Sequence, residues 1–259
     1  MNGAETLVQT LIDQGVDICF ANPGTSEMHF LKALENPRMR SVLCLFEGVC
    51  TGAADGYSRM KGTRASTLLH LGPGLANGLA NIHNAKRAAS GMVNIVGEHS
   101  ASHLKYDPPL TSDIEGLARP LSHWVRRVES SRAVAWDVAA AVAKASEYSA
   151  QIATLILTGD TSWQDAGEQA PLARPVHEPK RPDAARVEHI AQVLRSGEPT
   201  LIVLAGHLTR GRALELAGKL KASTGCRLAT QFFKRTHRTR CGALRWNASP
   251  MQSGRRSSI

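Results

Sequence analysis

Hydrophobic and polar positions change their spacing several times along the first 160 residues. Leu7, Val8 and Leu11 recur at helical spacing, and Gly15 follows them at the expected helix end. Short apolar runs then alternate with longer, glycine- and alanine-rich segments. This alternation predicts strands at 16–21, 41–46, 65–69, 92–96 (with a turn at Gly97) and 154–157, and helices at 48–61, 72–89 and 131–148.

Strands that alternate with helices along the chain favour one fold class. Such strands lie parallel in a sheet, and the connecting helices cover its faces. We therefore predict an α/β fold with a parallel sheet and helices on both faces for residues 1–165.

The pattern is interrupted at residues 166–182, which hold four prolines and little periodic apolarity and are interpreted as a linker. A new pattern predicts a helix at 183–196, a strand at 200–205, a helix at 212–223 and a strand at 227–233. These few elements are too small to close a core of their own. Residues 183–233 are therefore interpreted as an incomplete second α/β domain, resembling the start of a Rossmann-like unit.

Residues 234–259 show neither helical nor strand periodicity. They contain seven Lys or Arg and no Asp or Glu. One hypothesis is a disordered basic extension. The other is a shift of reading frame after Phe233, because acidic residues disappear in the middle of an unfinished domain.

Composition narrows the possible partners. Seven of the nine net positive charges lie in 234–259, which leaves +2 on the other 233 residues, so a nucleic-acid partner is not expected. No apolar run reaches the roughly 20 residues that a membrane span needs. The five cysteines are odd in number and form no CxxC pair, and the N-terminus lacks the pattern of a secretory signal. We predict a cytoplasmic protein without a membrane partner.

Glu47 is the most unusual polar residue, because it directly follows the apolar run 42–46 and precedes a glycine. In parallel sheets, ligands bind beyond the carboxyl ends of strands. A carboxylate there is costly to bury without a partner, so Glu47 is a candidate site residue. The alternative is a carboxylate that only stabilises a helix start through backbone N–H groups and the helix dipole.

Two other groups of residues have weaker patterns. The loop with Gly72, Gly74 and Gly78 matches neither common phosphate-binding motif and indicates only close backbone approach before a helix. His70, just before it, could equally be a hydrogen-bonded core histidine. His99 and His103 have the spacing of metal ligands on a helix, but nearby glycine and proline favour a loop and no third ligand is evident, so we predict no metal site.

Four segments appear in a characteristic order: NPGTSE, FEGVCTGAADGYSRMKG, LHLGPGLANGLANIHNA and VNIVGEHS. Together they resemble the N-terminal pyrimidine-binding domain of thiamine-diphosphate-dependent enzymes, the group of acetolactate synthase and benzoylformate decarboxylase. The resemblance is strong over residues 3–165 and weak over 183–233. It implies thiamine diphosphate as cofactor and a 2-keto acid as substrate, with lyase (decarboxylase) or transferase (carboligase) activity.

The resemblance also implies roles for individual residues. Glu47 matches the family's catalytic glutamate, whose carboxyl group hydrogen-bonds ring nitrogen N1′ of the aminopyrimidine and so activates C2 of the thiazolium. An apolar cleft is expected to favour its protonated form. His70 matches a histidine that transfers protons in benzoylformate decarboxylase, and acetolactate synthases commonly lack it. Thr25 stands where benzoylformate decarboxylase has a serine that contacts substrate.

The remaining cofactor-binding residues follow by position. Pro23, Gly24 and Thr25 match the turn that faces the reacting cofactor. Gly72, Gly74 and Asn77 match the loop that lines the cofactor and the dimer contact.

The family's diphosphate and Mg²⁺ ligands lie in a C-terminal domain with a Gly-Asp-Gly segment and a spaced asparagine. This sequence contains only Gly159-Asp160-Thr161, so those ligands are expected outside this chain, which alone should bind the cofactor weakly. Family sites lie between two subunits, which implies a homodimer or tetramer at full length. Two hypotheses remain open: a fragment of an active enzyme, or a truncated and inactive product. A third, a nucleic-acid-associated protein, rests only on the basic tail.

Overall fold

The computed structural model describes residues 1–147, 149–167, 180–209 and 211–230. The chain divides into two compact units, Met1–Lys180 and Arg181–Ile259. Most of the expected linker, the end of the expected strand at 227–233 and the whole basic tail lie outside the described residues. The four domain ranges given above therefore stay predictions.

The first unit is built on a six-stranded sheet with strand order β2-β1-β3-β4-β6-β5. Every neighbouring pair is parallel, which confirms the predicted α/β class with a parallel sheet. Its elements, in chain order, are α1 (Gly3–Asp13), β1 (Ile18–Asn22), α2 (Met28–Ala33), β2 (Arg40–Leu43), α3 (Glu47–Lys61), β3 (Ala65–Leu69), α4 (Leu71–Arg87), β4 (Met92–Glu98), α5 (Ala101–Leu104), α6 (Ile114–Ala118), β5 (Trp124–Arg127), α7 (Val134–Ser146), β6 (Ile152–Thr158) and α8 (Gly159–Trp163).

Two apolar clusters cover the two faces of the sheet. One gathers side chains of α1, α2 and α7, and the other gathers side chains of α3, α4 and α6. Strand residues alternate between them: Val93 and Ile95 belong to the first cluster, whereas Met92 and Val96 belong to the second. The central strands are buried on both sides, which explains their continuous apolar runs.

Three local predictions were wrong. The run 41–46 is a strand only as far as Leu43, because Phe46 already precedes the first residue of α3. Gly97 is not at a turn but inside β4. The edge strand β5 was missed, because Arg126 and Arg127 interrupt its apolar pattern.

A ladder of buried polar side chains joins the three central strands. Thr67, Asn94 and Thr154 are register partners on β3, β4 and β6. The Thr67 hydroxyl donates to Asn94 Oδ1 at 2.9 Å, and Asn94 Nδ2 donates to Thr154 Oγ1 at 3.3 Å. Ser122 Oγ lies 2.7 Å from Thr154 Oγ1 and completes the ladder. All three strand residues are fully buried, so each depends on the others for hydrogen bonds.

Asn94→Leu should lower the free energy of unfolding by about 1–3 kcal/mol, because it leaves the buried Thr67 hydroxyl without its acceptor. Urea unfolding followed by tryptophan fluorescence measures the loss. Adding Thr67→Val removes the orphaned hydroxyl as well, so the double variant should lose less than the sum of the two single variants. Additive losses would contradict a coupled ladder.

The second unit contains α9 (Ala184–Arg195), β7 (Leu201–Leu204), α10 (Gly211–Thr224) and β8 (Arg227–Thr230). Strands β7 and β8 pair in parallel, as the βα pattern predicts. Within the described part of the chain, no helix has the length and apolar character needed to cross a membrane.

Candidate active site

The predicted loops meet at the carboxyl edge of the sheet. Strands β1, β3 and β4 are neighbours there, and Asn22 on β1 pairs with Leu69 on β3. The turn with Pro23, Gly24 and Thr25 leaves β1, and His70 directly follows β3. These two segments, which are far apart in sequence, therefore lie side by side at the usual ligand-binding edge of a parallel sheet.

Glu47 is the first residue of α3 and is 6% exposed. Its Oε2 accepts a hydrogen bond of 3.0 Å from Asn77 Nδ2 on α4. Its Oε1 faces Gly74, where an added Cβ would lie 2.8 Å away. Among the described residues, no backbone N–H donates to this carboxylate, although Glu47 does stand in the first turn of α3, where the helix dipole favours a negative charge.

Close packing of α3 against α4 holds the Glu47 carboxylate in place. Thr51 Oγ1 lies 3.0 Å from the Gly78 carbonyl oxygen, to which it donates, and Asn81 Nδ2 donates to the Gly48 carbonyl at 2.7 Å. An added Cβ on Gly78 would lie 2.9 Å from the Thr51 methyl carbon. The glycines thus allow the two helices to approach closely enough for Glu47 to reach Asn77.

His70 is held by the loop that leaves β1. Its Nδ1 lies 2.8 Å from Glu27 Oε2, and its side chain is 25% exposed. The imidazole ring packs over Gly24, where an added Cβ would lie 2.2 Å from ring atom Cε1. His70 is therefore an oriented histidine at the edge of the sheet and not a core histidine.

The backbone directly after His70 is strained. Leu71 is fully buried and has φ +52°, in the left-handed region that glycine normally occupies. This conformation costs a non-glycine residue roughly 1–2 kcal/mol. It starts α4 immediately after the strand, and the Gly74 N–H donates to the His70 carbonyl at 2.9 Å. Strain of this kind is concentrated at functional sites.

The predicted residues do not all meet. Glu47, Gly74 and Asn77 form one group, and Gly24 and His70 form another. Gly72 instead packs against Ser112, where an added Cβ would lie 2.2 Å from the serine Cβ. Pro23 is partly buried, and Thr25 is exposed.

Glu27 belongs to the NPGTSE motif but is not among the predicted site residues. It is 3% exposed and contacts both Gly24 and His70. Gly97 on β4 was interpreted as a turn, but it lies against the Glu27 carboxylate. In the sequence, the only indication of a role for Glu27 was its place as the acidic residue of the NPGTSE motif.

Burial makes the Cys19 and Cys50 thiols poor nucleophiles. Burial raises the pKa of Cys19 to about 12. Burial, followed by the neighbouring Cys44, also raises the pKa of the Cys50 thiol well above its ordinary range. Both groups stay protonated near neutral pH, and a protonated thiol is a poor nucleophile. Cys19, Cys44, Cys50 and Cys226 are free thiols.

Metal-ligating side chains do not cluster in the described ranges: no group of three or more His, Cys, Asp or Glu residues could hold an ion there. The donor set around Glu47 suits an aminopyrimidine. Among described residues, Asn77 alone donates to the carboxylate, so Oε1 lies against Gly74 without a hydrogen-bond donor. A ring nitrogen beside Oε1 would meet an acid group whose other oxygen is already fixed.

Residues 1–118 match the family described as thiamine pyrophosphate enzyme, N-terminal TPP binding domain. A Mycobacterium tuberculosis protein, IlvX, named among acetolactate synthase large subunits, is 53% identical over 234 residues, 90% of this chain and 45% of its own length. Benzoylformate decarboxylase of Pseudomonas aeruginosa is 29% identical over 218 residues, 80% of this chain and 40% of its own length. The chain thus spans less than half the length of these relatives.

Two solved structures share the fold. The thiamine diphosphate-dependent 4-hydroxybenzoylformate decarboxylase of Rhodococcus jostii has a TM-score of 0.81 and 24% identity, over 89% of this chain and 44% of that one. Benzoylformate decarboxylase of Polynucleobacter necessarius has a TM-score of 0.71 and 26% identity, over 78% of this chain and 38% of that one.

Proposed function

We propose that this chain, whose residues 1–118 match the thiamine pyrophosphate enzyme N-terminal domain, supplies the pyrimidine-binding half of such an enzyme. The observation that carries the proposal is the buried Glu47 carboxylate, with Oε2 held by Asn77 and Oε1 facing Gly74. A fixed carboxyl group whose second oxygen receives no hydrogen bond from the described residues suits a heterocycle with a basic ring nitrogen.

Glu47 is the proposed catalytic acid–base group. Its Oε1 would share a proton with the pyrimidine ring nitrogen, while Asn77 prevents the carboxylate from rotating away. Burial limits competition from water for this proton. Thiamine diphosphate, when bound, supplies the electron sink for cleaving the bond between the carbonyl and carboxylate carbons of a 2-keto acid.

His70 is the proposed second catalytic residue. Glu27 and Gly24 hold its ring, and the side chain is partly open at the edge of the sheet. It would exchange a proton with the substrate-derived group. The wall of the site next to His70 would be formed by Pro23, Gly24 and Thr25. Gly72 would set the position of the loop that contains Ser112.

The diphosphate group and Mg²⁺ would be held by residues outside this chain. This follows from the family's architecture and from the share of the relatives that the chain spans, 45% for the M. tuberculosis protein. Exposed apolar side chains at the start of α3, namely Leu45, Phe46 and Val49, suit a surface covered by another subunit in a homodimer or tetramer. We place the protein in the cytoplasm, acting as a decarboxylase (lyase) or carboligase (transferase).

A calorimetric titration tests whether the cofactor site is divided between this chain and residues outside it. The chain alone should show no micromolar binding of thiamine diphosphate with Mg²⁺, since diphosphate charge is costly to bury without a bridging cation. Adding the C-terminal half of the M. tuberculosis relative as a separate polypeptide should produce Mg²⁺-dependent binding and release of CO₂ from a 2-keto acid. Micromolar binding by the chain alone would contradict the division.

The same mixture tests the alternative that the chain is a truncated, inactive product. An inactive mixture in which the two polypeptides co-elute on gel filtration would support it. An active mixture that loses activity when either polypeptide is left out would exclude it.

A further inference from the structure

The Glu27 side chain is enclosed between the loop after β1 and strand β4. It is 3% exposed, and its Oε2 accepts a hydrogen bond of 2.8 Å from the Gly24 N–H. Its Oε1 lies where a Cβ on Gly97 would be, only 1.6 Å from that ideal position. The carboxylate therefore fits only because position 97 has no side chain.

Burying this carboxylate is costly. Oε1 is buried and finds no hydrogen-bond partner among the described residues. A buried acid with an unpartnered oxygen is destabilising unless another contact offsets the cost. The one ionisable side chain paired with Glu27 there is His70, whose Nδ1 lies 2.8 Å from Oε2. Folding the chain therefore fixes a carboxylate against one particular ring nitrogen.

This contact selects the histidine tautomer. Oε2 accepts from the Gly24 N–H on one side, and a carboxylate has no proton to donate, so Nδ1 must carry the proton. The hydrogen bond at one ring nitrogen decides which form the other takes. In neutral His70, Nε2 is then the unprotonated acceptor.

We propose that Glu27, seated against Gly97, is a positioning residue that keeps His70 in the Nδ1–H tautomer with Nε2 free to accept a proton. The assignment of His70 to the reaction rests on the proposed function, but the state of the His70 ring does not. Glu27 acts on the reacting atoms only through His70.

The tautomer can be measured in the full chain without cofactor or substrate. Long-range ¹H–¹⁵N correlation spectra of uniformly ¹⁵N-labelled protein, recorded where His70 is neutral, separate protonated from unprotonated ring nitrogens. The chain contains ten histidines, so a His70→Asn variant assigns the signals. In the native chain, Nδ1 should fall in the protonated region and Nε2 in the unprotonated region.

Glu27→Leu should move the proton toward Nε2, because the leucine side chain offers Nδ1–H no acceptor. Glu27→Gln should keep the proton on Nδ1, because the amide oxygen, which must face the Gly24 N–H, takes the position of Oε2. Gly97→Ala should weaken the Nδ1–H preference in the same direction as Glu27→Leu by displacing the carboxylate without changing its chemistry. Glu35→Gln is the matched control: this carboxylate is 67% exposed and pairs with Lys32, so the His70 signals should not move.

A native spectrum with the proton on Nε2, or a Glu27→Leu spectrum that keeps it fully on Nδ1, would overturn the proposal. If Glu27→Leu fails to fold, the native and Gly97→Ala spectra decide alone. Since no cofactor is added, failure of the proposed function would leave these spectra unchanged, and the two failures are distinguishable.

Discussion

Glu47→Gln is expected to lower turnover by roughly 10²–10⁴-fold, the usual range for losing a positioned acid–base group. Turnover here is that of the chain mixed with the C-terminal half of the M. tuberculosis relative. The amide has nearly the shape of the carboxyl group and can still contact Asn77, so the packing between α3 and α4 should survive. The amide cannot, however, share a proton with a ring nitrogen. The loss should therefore fall on the chemical step and not on folding.

The decisive measurement for Glu47→Gln is exchange of the C2 proton of bound thiamine diphosphate, followed by NMR after mixing with D₂O. Glu129→Gln, which changes an exposed carboxylate, serves as the matched control and should leave exchange unchanged. Thermal unfolding of both variants establishes that the fold is intact. Full exchange in Glu47→Gln would remove Glu47 from the catalytic role.

Phe30→Ala should lower the free energy of unfolding of the first unit by about 3–5 kcal/mol. Phe30 lies on α2, is 1% exposed and belongs to the apolar cluster shared with α1 and α7. Truncation removes a large buried ring and leaves a cavity that the surrounding strands cannot fill. Domains are commonly stable by only about 5–15 kcal/mol, so this loss is a large fraction of the total.

Urea unfolding monitored by tryptophan fluorescence measures the effect of Phe30→Ala, because Trp124, Trp136 and Trp163 all lie in the first unit. Met28→Ala is the matched control on the same helix: Met28 is 55% exposed, and its loss should change stability by no more than about 0.5 kcal/mol. Equal effects in the two variants would mean that α2 does not dock as described.

The central strands could be predicted because burial on both faces leaves nearly uninterrupted apolar runs such as those of β4 and β6. The same physics explains why β5 was missed. It is an edge strand with partly exposed residues, and its arginines look like loop residues in sequence. Helix α2 was missed because six residues are too few to display a helical period.

Sequence motifs identified only some of the residues of the candidate site. Glu47 stood out by position and His70 by resemblance, whereas the contact between Glu27 and His70 joins residues 43 positions apart. No spacing rule reports such a contact. Gly97 was misinterpreted for a related reason: glycine in a strand can mark a close approach by a distant side chain, and the chain itself does not identify that side chain.

The buried Thr67–Asn94–Thr154 ladder has a consequence for how the sheet assembles. Aliphatic strands such as β3, β4 and β6 could slide past one another by one or two residues with little change in apolar burial. A slip of one residue would turn Asn94 to the opposite face of the sheet. Its amide would then lie among aliphatic groups without a hydrogen-bond partner. A slip of two would pair it with a residue other than Thr67. The ladder thus favours a single alignment of the three strands, because any other alignment leaves buried polar side chains without hydrogen-bond partners.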